Sequence, residues 1–202
     1  LPEARALFDR ASGVLGYDLA DICFNGPIEK LTVSAHAQPA IFVHSVAAYQ
    51  AWQARHPGAF DFMAGLSSGE WTALHLAGVI GFDDTLKVLE ARGRFMQEAC
   101  EARPGGMISI IGADLATLEK ICAGSGVEMA NLNSAEQTVL SGPKEGIDRA
   151  EVLAKELGIR KAIRLNVAGA FHSTLMHPAA VKLETVLAGV EFKSPQLPVI
   201  AN

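Results

Sequence analysis

"AGLSSGEWTALH", residues 64–75, sets Ser67 between Gly65 and Gly69 where a strand-like apolar run gives way to a helical one. Gly-x-Ser-x-Gly at a strand-to-helix junction is the nucleophile elbow, in which a strained turn lifts a serine clear of the backbone. The glycines relieve that strain and let other groups approach the serine closely. The first amides of the following helix then point at any anion forming beside Ser67, and the N–H of Ser68 is placed to donate to an oxyanion. The same five residues also fit an N-capped helix with glycines at a tight packing point, and the pattern alone leaves both readings open.

A serine nucleophile needs a base, and six histidines compete: His36, His44, His56, His75, His172 and His177. His75 lies about two turns along the helix that follows Ser67 and points away from it. His44 falls within a helix, and His177 precedes Pro178 at a helix start, where a structural role is the plainer reading. His172 follows the strand-like "KAIRLNV" in the loop "AGAFHS", where α/β cores place catalytic side chains. It is the strongest of the six on position alone.

A second signal comes from the helix expected over 82–102. At about 100° per residue, Phe82, Leu86, Val88, Leu89, Phe95, Met96, Ala99 and Cys100 fill roughly half of the wheel. Asp83, Asp84, Lys87, Glu90, Arg94, Gln97 and Glu98 fill the other half, and Arg92 alone falls inside the apolar arc. A cation there must be paired, reach out to water, or face a polar cavity. One reading is an ion pair with a buried carboxylate of the protein. The other is a pocket in which Arg92 grips the carboxylate of a ligand with its two-pronged guanidinium.

Working outward, the early chain reads as helices over 3–15 and 39–54, the second opened by Pro39 at a first helical position. A central strand follows over 59–64, then helices over 69–80 and 82–102. Between 106 and 167 the rhythm changes. "GMISIIG" is a strand, and "DLATLEKICAG" is a helix with Asp114 as N-cap and a glycine end. "VEMANLNS" and "QTVLSG" are strands, "KEGIDRAEVLAKELG" a helix, and "KAIRLNV" a strand with Ile163, Leu165 and Val167 on one face. β-α-β-β-α-β is the ferredoxin-like order. The expected class is therefore α/β: a core with a parallel sheet over 1–103 and 168–202, carrying a small ferredoxin-like subdomain over 104–167.

Composition narrows the function classes. The 202 residues carry a net charge of −5 with no basic block, which argues against nucleic acid and anionic membranes as partners. Half the residues are hydrophobic and 19% are charged, ordinary for a globular protein. Cys23, Cys100 and Cys122 are an odd number without a CxxC pair, which suits thiols in a reducing compartment better than disulfides or zinc. No run approaches membrane-spanning length. The chain opens without Met, almost directly on an amphipathic helix, and "LPVIAN" stops on what reads as a buried strand. A fragment of a longer protein is expected.

Taken together, "AGLSSGEWTALHLAGVI", "ARGRFMQEA", "QPAIFVHSVA" and "GAFHSTLMHPAA" resemble the malonyl-CoA:acyl carrier protein transacylases of fatty acid synthesis. The same motifs recur in polyketide synthase acyltransferase domains. The resemblance runs over nearly the whole chain in the family's order and spacing, and it implies an α/β-hydrolase-like core with a ferredoxin-like insert. It implies Ser67 as the acylated nucleophile, His172 as its base, Ser68 as oxyanion donor and Arg92 as partner of the malonyl carboxylate. Gln38 and Met96 match site-lining positions, and Phe171 matches one whose bulk is associated with malonyl over methylmalonyl. Asn131 and Asn133 match a strand segment near the CoA or carrier-protein arm. Leu66 stands where many members have His, a variant also found in the family. The family's N-terminal "GQG" loop, a second oxyanion donor, and the C-terminal segment whose carbonyl orients the histidine have no counterpart here.

The implied activity is malonyl transfer from malonyl-CoA to the phosphopantetheine thiol of acyl carrier protein, with no metal or redox cofactor, by a cytoplasmic monomer of bacterial or organellar type. Three alternatives stand beside it: a polyketide-type acyltransferase, a serine thioesterase or esterase on the same fold, and a non-catalytic carrier-binding domain. An esterase would ordinarily want a third carboxylate and no arginine on the acyl side.

Overall fold

In the computed structural model, residues 2–58 and 60–201 are described; Leu1, Asn202 and Ala59, where the strand over 59–64 was expected to begin, lie outside them. The chain runs α1 (Pro2–Leu15), α2 (Leu19–Asn25), α3 (Ile28–Leu31), α4 (Ser34–Gln53), β1 (Met63–Ala64), α5 (Ser68–Leu76) and α6 (Phe82–Ala102). It continues with β2 (Gly105–Ile111), α7 (Leu115–Ser125), β3 (Glu128–Leu132), β4 (Gln137–Pro143), α8 (Lys144–Glu156), β5 (Lys161–Arg164), α9 (His177–Leu187) and β6 (Val199–Ile200). A 3-10 turn, Thr174–Met176, precedes α9. The fold is mixed α/β with one parallel and one antiparallel sheet. By internal contacts it divides into two compact units, Leu1–Arg94 with Leu183–Asn202, and Phe95–Lys182.

The first unit is organised by helix α4. Its Phe42, Val43 and Val46 pack with Phe8 and Ala11 of α1, Leu19 of α2, and Phe82, Leu86 and Leu89 of α6. Pro39 does not open this helix as expected; α4 starts at Ser34 and Pro39 sits inside it. Proline cannot donate to the carbonyl four residues back, so Ala35 O is left over. The Tyr17 hydroxyl donates to that oxygen at 3.4 Å. Burial, with help from Glu90 and Cys23, pushes the Tyr17 phenol up to about 12, so it stays a donor at neutral pH.

Two other boundaries differ from expectation. The strand over 59–64 shrinks to Met63–Ala64, paired in parallel with Val199 and Ile200. Phe60 instead turns its ring onto Tyr49 and Trp52 of α4, at 5.8 and 5.2 Å. Ile200 is exposed, not buried. Helix α5 stops at Leu76, short of Ile80, because Gly78 takes φ +79°. The amides of Gly78 and Val79 then bond back to His75 O and Leu74 O, both at 2.9 Å. That is a Schellman ending, and it needs glycine at the left-handed position.

In the second unit the strand order is β3-β4-β2-β5, with every neighbouring pair antiparallel. The connectivity is β-α-β-β-α-β. Ile108 and Ile110 of β2 and Leu140 of β4 meet Leu118 and Ile121 of α7 and Ile147 and Ala150 of α8 in one core. Asp114 caps α7 as expected, its carboxylate accepting from Thr117 N at 2.8 Å, and Gly126 ends it at φ +74°. β5 ends at Arg164, short of the expected Val167; its Ala162 packs on this core, while Ile163 and, beyond the strand, Leu165 and Val167 are exposed. Alternation separates the two faces of a strand without saying which one is covered.

Candidate active site

Ser67 has φ +55° and ψ −113°, a backbone conformation that costs a non-glycine residue about 1–3 kcal/mol. The turn is closed by Gly69 N on Leu66 O at 2.9 Å and Glu70 N on Ser67 O at 3.2 Å. A Cβ on Gly65 would strike the backbone of Gly69 and Glu70, so position 65 admits only glycine. Gly69 differs from the sequence reading: a Cβ there would meet nothing within 4 Å. Ser67 makes no side-chain capping bond to α5, and the plain N-cap reading falls with that.

Its hydroxyl oxygen instead accepts from Nη2 of Arg92 at 3.0 Å. Nη1 of the same guanidinium donates to Oε1 of Gln38 at 2.6 Å. Three elements thus converge: Gln38, 8% exposed on α4, Ser67 at the head of α5, and Arg92 on α6. Gly93 explains how α6 comes close enough, since a Cβ there would collide with the backbone of Ser34 and Ala35 at the start of α4. Burial pulls the Arg92 pKa down and the nearby Glu70 carboxylate opposes that. A guanidinium nonetheless remains charged throughout the working pH range. Both oxygens it holds are neutral, so these bonds do not form the internal ion pair that was the expected alternative.

His75, expected to point away, is packed edge-on against Phe42 and Phe82 at 5.3 and 5.7 Å, with Nδ1 3.0 Å from Ile80 O. His36 and His56 have Nδ1 against Lys30 O and Trp52 O, at 2.8 and 3.1 Å. His44 is exposed on α4, and His177 is the first residue of α9.

Ser67, Gln38 and Arg92 belong to the first unit; Met96, Asn131, Asn133, Phe171 and His172 belong to the second. His172 is exposed and has φ +58°; it and Ser67 are the non-glycine residues with positive φ among those described. Half-buried Phe171 precedes it, with its amide on Gly169 O at 3.1 Å. Ser173 Oγ donates to Ala170 O at 2.7 Å and accepts from Leu175 N at 3.3 Å. Beneath the loop, a Cβ on Gly169 would run into Cys100, and one on Gly105 into Ala170. The Thr174 amide donates to both oxygens of Glu128 at 3.1 Å, and its hydroxyl donates to Oε1 at 2.6 Å. Asn131 is half-buried and Asn133 exposed at the far end of β3, beyond a bulge between Met129 and Asn131. Met96 is half-buried on α6.

Sequence reading missed Gly93, although a glycine inside an otherwise regular helix is a packing signal. It also missed Glu128, for which no local pattern exists. Among the described residues no cluster of His, Cys, Asp or Glu could hold a metal ion, and no helix is long and apolar enough to cross a membrane.

A mixed α/β fold with parallel and antiparallel sheets is consistent with the acyltransferase fold. The family model described as an acyl transferase domain matches residues 4–202, and the chain belongs to that family. It is similar to the malonyl CoA-acyl carrier protein transacylase of Escherichia coli strain K12, 42% identical over 205 residues, covering all of this chain and 66% of that protein. The crystal structure of an acyl carrier protein S-malonyltransferase from Vibrio cholerae matches with TM-score 0.94 and 41% identity, over 99% of this chain and 67% of that one. A malonyl-transacylase in complex with its type II polyketide synthase acyl-carrier protein matches with TM-score 0.93 and 40% identity, over 99% and 66%. The chain spans just under two thirds of the length of the Escherichia coli relative.

Proposed function

We propose that this chain carries the acyl-transfer centre of a malonyl-CoA:acyl carrier protein transacylase of fatty acid synthesis. Ser67 attacks the thioester of malonyl-CoA while His172 takes its proton, and the Ser68 amide, first of α5, donates to the tetrahedral oxyanion. CoA leaves as the thiol, giving malonyl-Ser67. The phosphopantetheine thiol of acyl carrier protein then attacks that ester and the steps run in reverse. A thiol leaves far more easily than an amine, so the base needs little help and no metal or redox cofactor enters the scheme.

The observation that carries this reading is the guanidinium of Arg92 3.0 Å from Ser67 Oγ. An acyl group on Ser67 ending in a carboxylate meets a cation already held by Gln38 and otherwise satisfied by neutral oxygens. A bidentate pair then fixes the acyl chain beside its own ester. Phe171, next to the base, restricts an α-branch, Met96 lines the acyl side, and Asn131 and Asn133 line the arm of the carrier. In this reading 104–167 is a ferredoxin-like insert in an α/β-hydrolase-like core of 1–103 and 168–202, in a cytoplasmic monomer. A polyketide pathway would use the same residues, and the match to a transacylase bound to a polyketide carrier supports that second reading.

The test is intact mass of the full-length protein after mixing with malonyl-CoA or acetyl-CoA. A malonyl adduct is expected, lost in Ser67→Ala and kept in Ser68→Ala. Arg92→Ala should cost malonyl acylation tens- to thousands-fold, as on the order of 2–5 kcal/mol for an unpaired buried charge implies, and leave acetyl acylation equal or faster. An adduct mapped to Ser68, or equal losses for both acyl groups, would overturn the reading.

A further inference from the structure

His172 holds a left-handed backbone conformation that is uncommon for any residue with a side chain, and the loop around it is restrained from both sides. On the N-terminal side the restraint is steric: Gly169 lies on Cys100 and Ala170 on Gly105, with no room for a further carbon. On the C-terminal side it is polar. Ser173 ties back to Ala170 O across the histidine, and Thr174 is held by all three hydrogen bonds to Glu128, 46 residues earlier in the chain. Glu128 is itself anchored, since it opens β3 and is in register with fully buried Ser141 of β4. Bonds to a carboxylate are about twice as strong as neutral ones. A rigid sheet edge therefore grips the chain two residues beyond His172.

We propose that Glu128 is a positioning residue for His172, its carboxylate setting the angle at which the loop presents the imidazole. The proposal rests on the reading of His172 as the base. Removing the carboxylate leaves Ser173 as the C-terminal restraint, and the histidine drifts toward the ordinary regions of backbone space. A misplacement on the order of 1 Å can cost a hundredfold in rate, and a partial release about tenfold.

The experiment measures single-turnover acylation of Ser67 by malonyl-CoA in the full-length protein, together with labelling of Ser67 by a fluorophosphonate, which needs the serine and its base but no malonyl group. Glu128→Ala is expected to slow both about tenfold while the malonyl-CoA concentration for half-maximal rate stays unchanged. Glu128→Gln keeps one acceptor oxygen, and with neutral bonds of about half the strength it should recover most of the rate. Thr174→Val removes the hydroxyl bond and leaves both amide bonds, so it should slow the reaction less than Glu128→Ala, and the double variant should be no slower than Glu128→Ala alone. Unchanged rates in Glu128→Ala overturn the proposal, as does a loss confined to the half-maximal concentration or one that Glu128→Gln fails to rescue. If malonyl-CoA leaves no adduct while the fluorophosphonate labels Ser67, the malonyl reading fails. The dependence of labelling on Glu128 still decides the positioning role.

Discussion

The turn at Ser67 and the loop at His172 hold the same unusual backbone sign, φ +55° and +58°, by opposite means. At Ser67 the restraint is local. Gly65 touches Gly69 and Glu70, and the bonds that close the turn join residues three apart. At His172 the restraint comes from far along the chain: Cys100 on α6, Gly105 on β2 and Glu128 on β3. A strained residue costs about the same in either setting. The difference lies in what must be folded first. The serine turn needs five consecutive residues and a helix start; the histidine loop needs a helix and two strands of a finished sheet.

The largest effect should separate the two glycines of the serine turn. Gly65→Ala forces a collision with backbone, which cannot step aside, and acylation of Ser67 should fall at least a hundredfold. Gly69→Ala has open space and should keep most of the activity. Similar losses in both, read by malonyl adduct formation, would mean that the turn is not as local as its contacts indicate. An intermediate effect should appear at the histidine loop. Gly169→Ala overpacks against Cys100 and should destabilise by about 1–3 kcal/mol in chemical denaturation. Cys100→Ala in the same chain removes the sulfur and should return part of that loss. If the double variant is no better than Gly169→Ala alone, Cys100 is not what holds the loop.

The smallest effect is a pH dependence on the serine side. His75, on the helix that follows Ser67, has its pKa pulled down by burial, with the Ile80 carbonyl opposing and Arg10 adding to the shift. With a folded pKa below the unfolded value near 6.5, neutral His75 contributes stability that is present above pH ~6.5 and fades as pH falls through the folded value. The ring is partly exposed, so the effect should stay under about 1 kcal/mol. The gap in unfolding free energy between wild type and His75→Gln should narrow from pH 7 to 5; a constant gap would remove His75 from the acid response.

What could be read in advance follows the same division between local and distant contacts. The serine turn, the N-cap at Asp114, the two faces of α6 and the misplaced Arg92 are written in neighbours a few residues apart, where periodicity and turn chemistry act directly. The order β-α-β-β-α-β was legible for the same reason. Pro39 was misplaced because its cost inside α4 is offset by Tyr17, a partner 18 residues from the carbonyl it serves. The strand over 59–64 was overextended because Phe60 answers to rings on α4. His172 stood out among six histidines only by position, since the contacts that give it a left-handed backbone come from Gly105 and Cys100, well over 60 positions away, or from Glu128 by way of Thr174. The guanidinium of Arg92 was visible as an anomaly on one helix, but its meeting with Gln38 and Ser67 joins residues 54 and 25 positions away. Sequence by itself determined which side chains were out of place on their own elements. Tertiary structure alone decided which of them meet, because hydrogen bonds and steric fits act over a few ångströms and the chain brings those ångströms together only by folding.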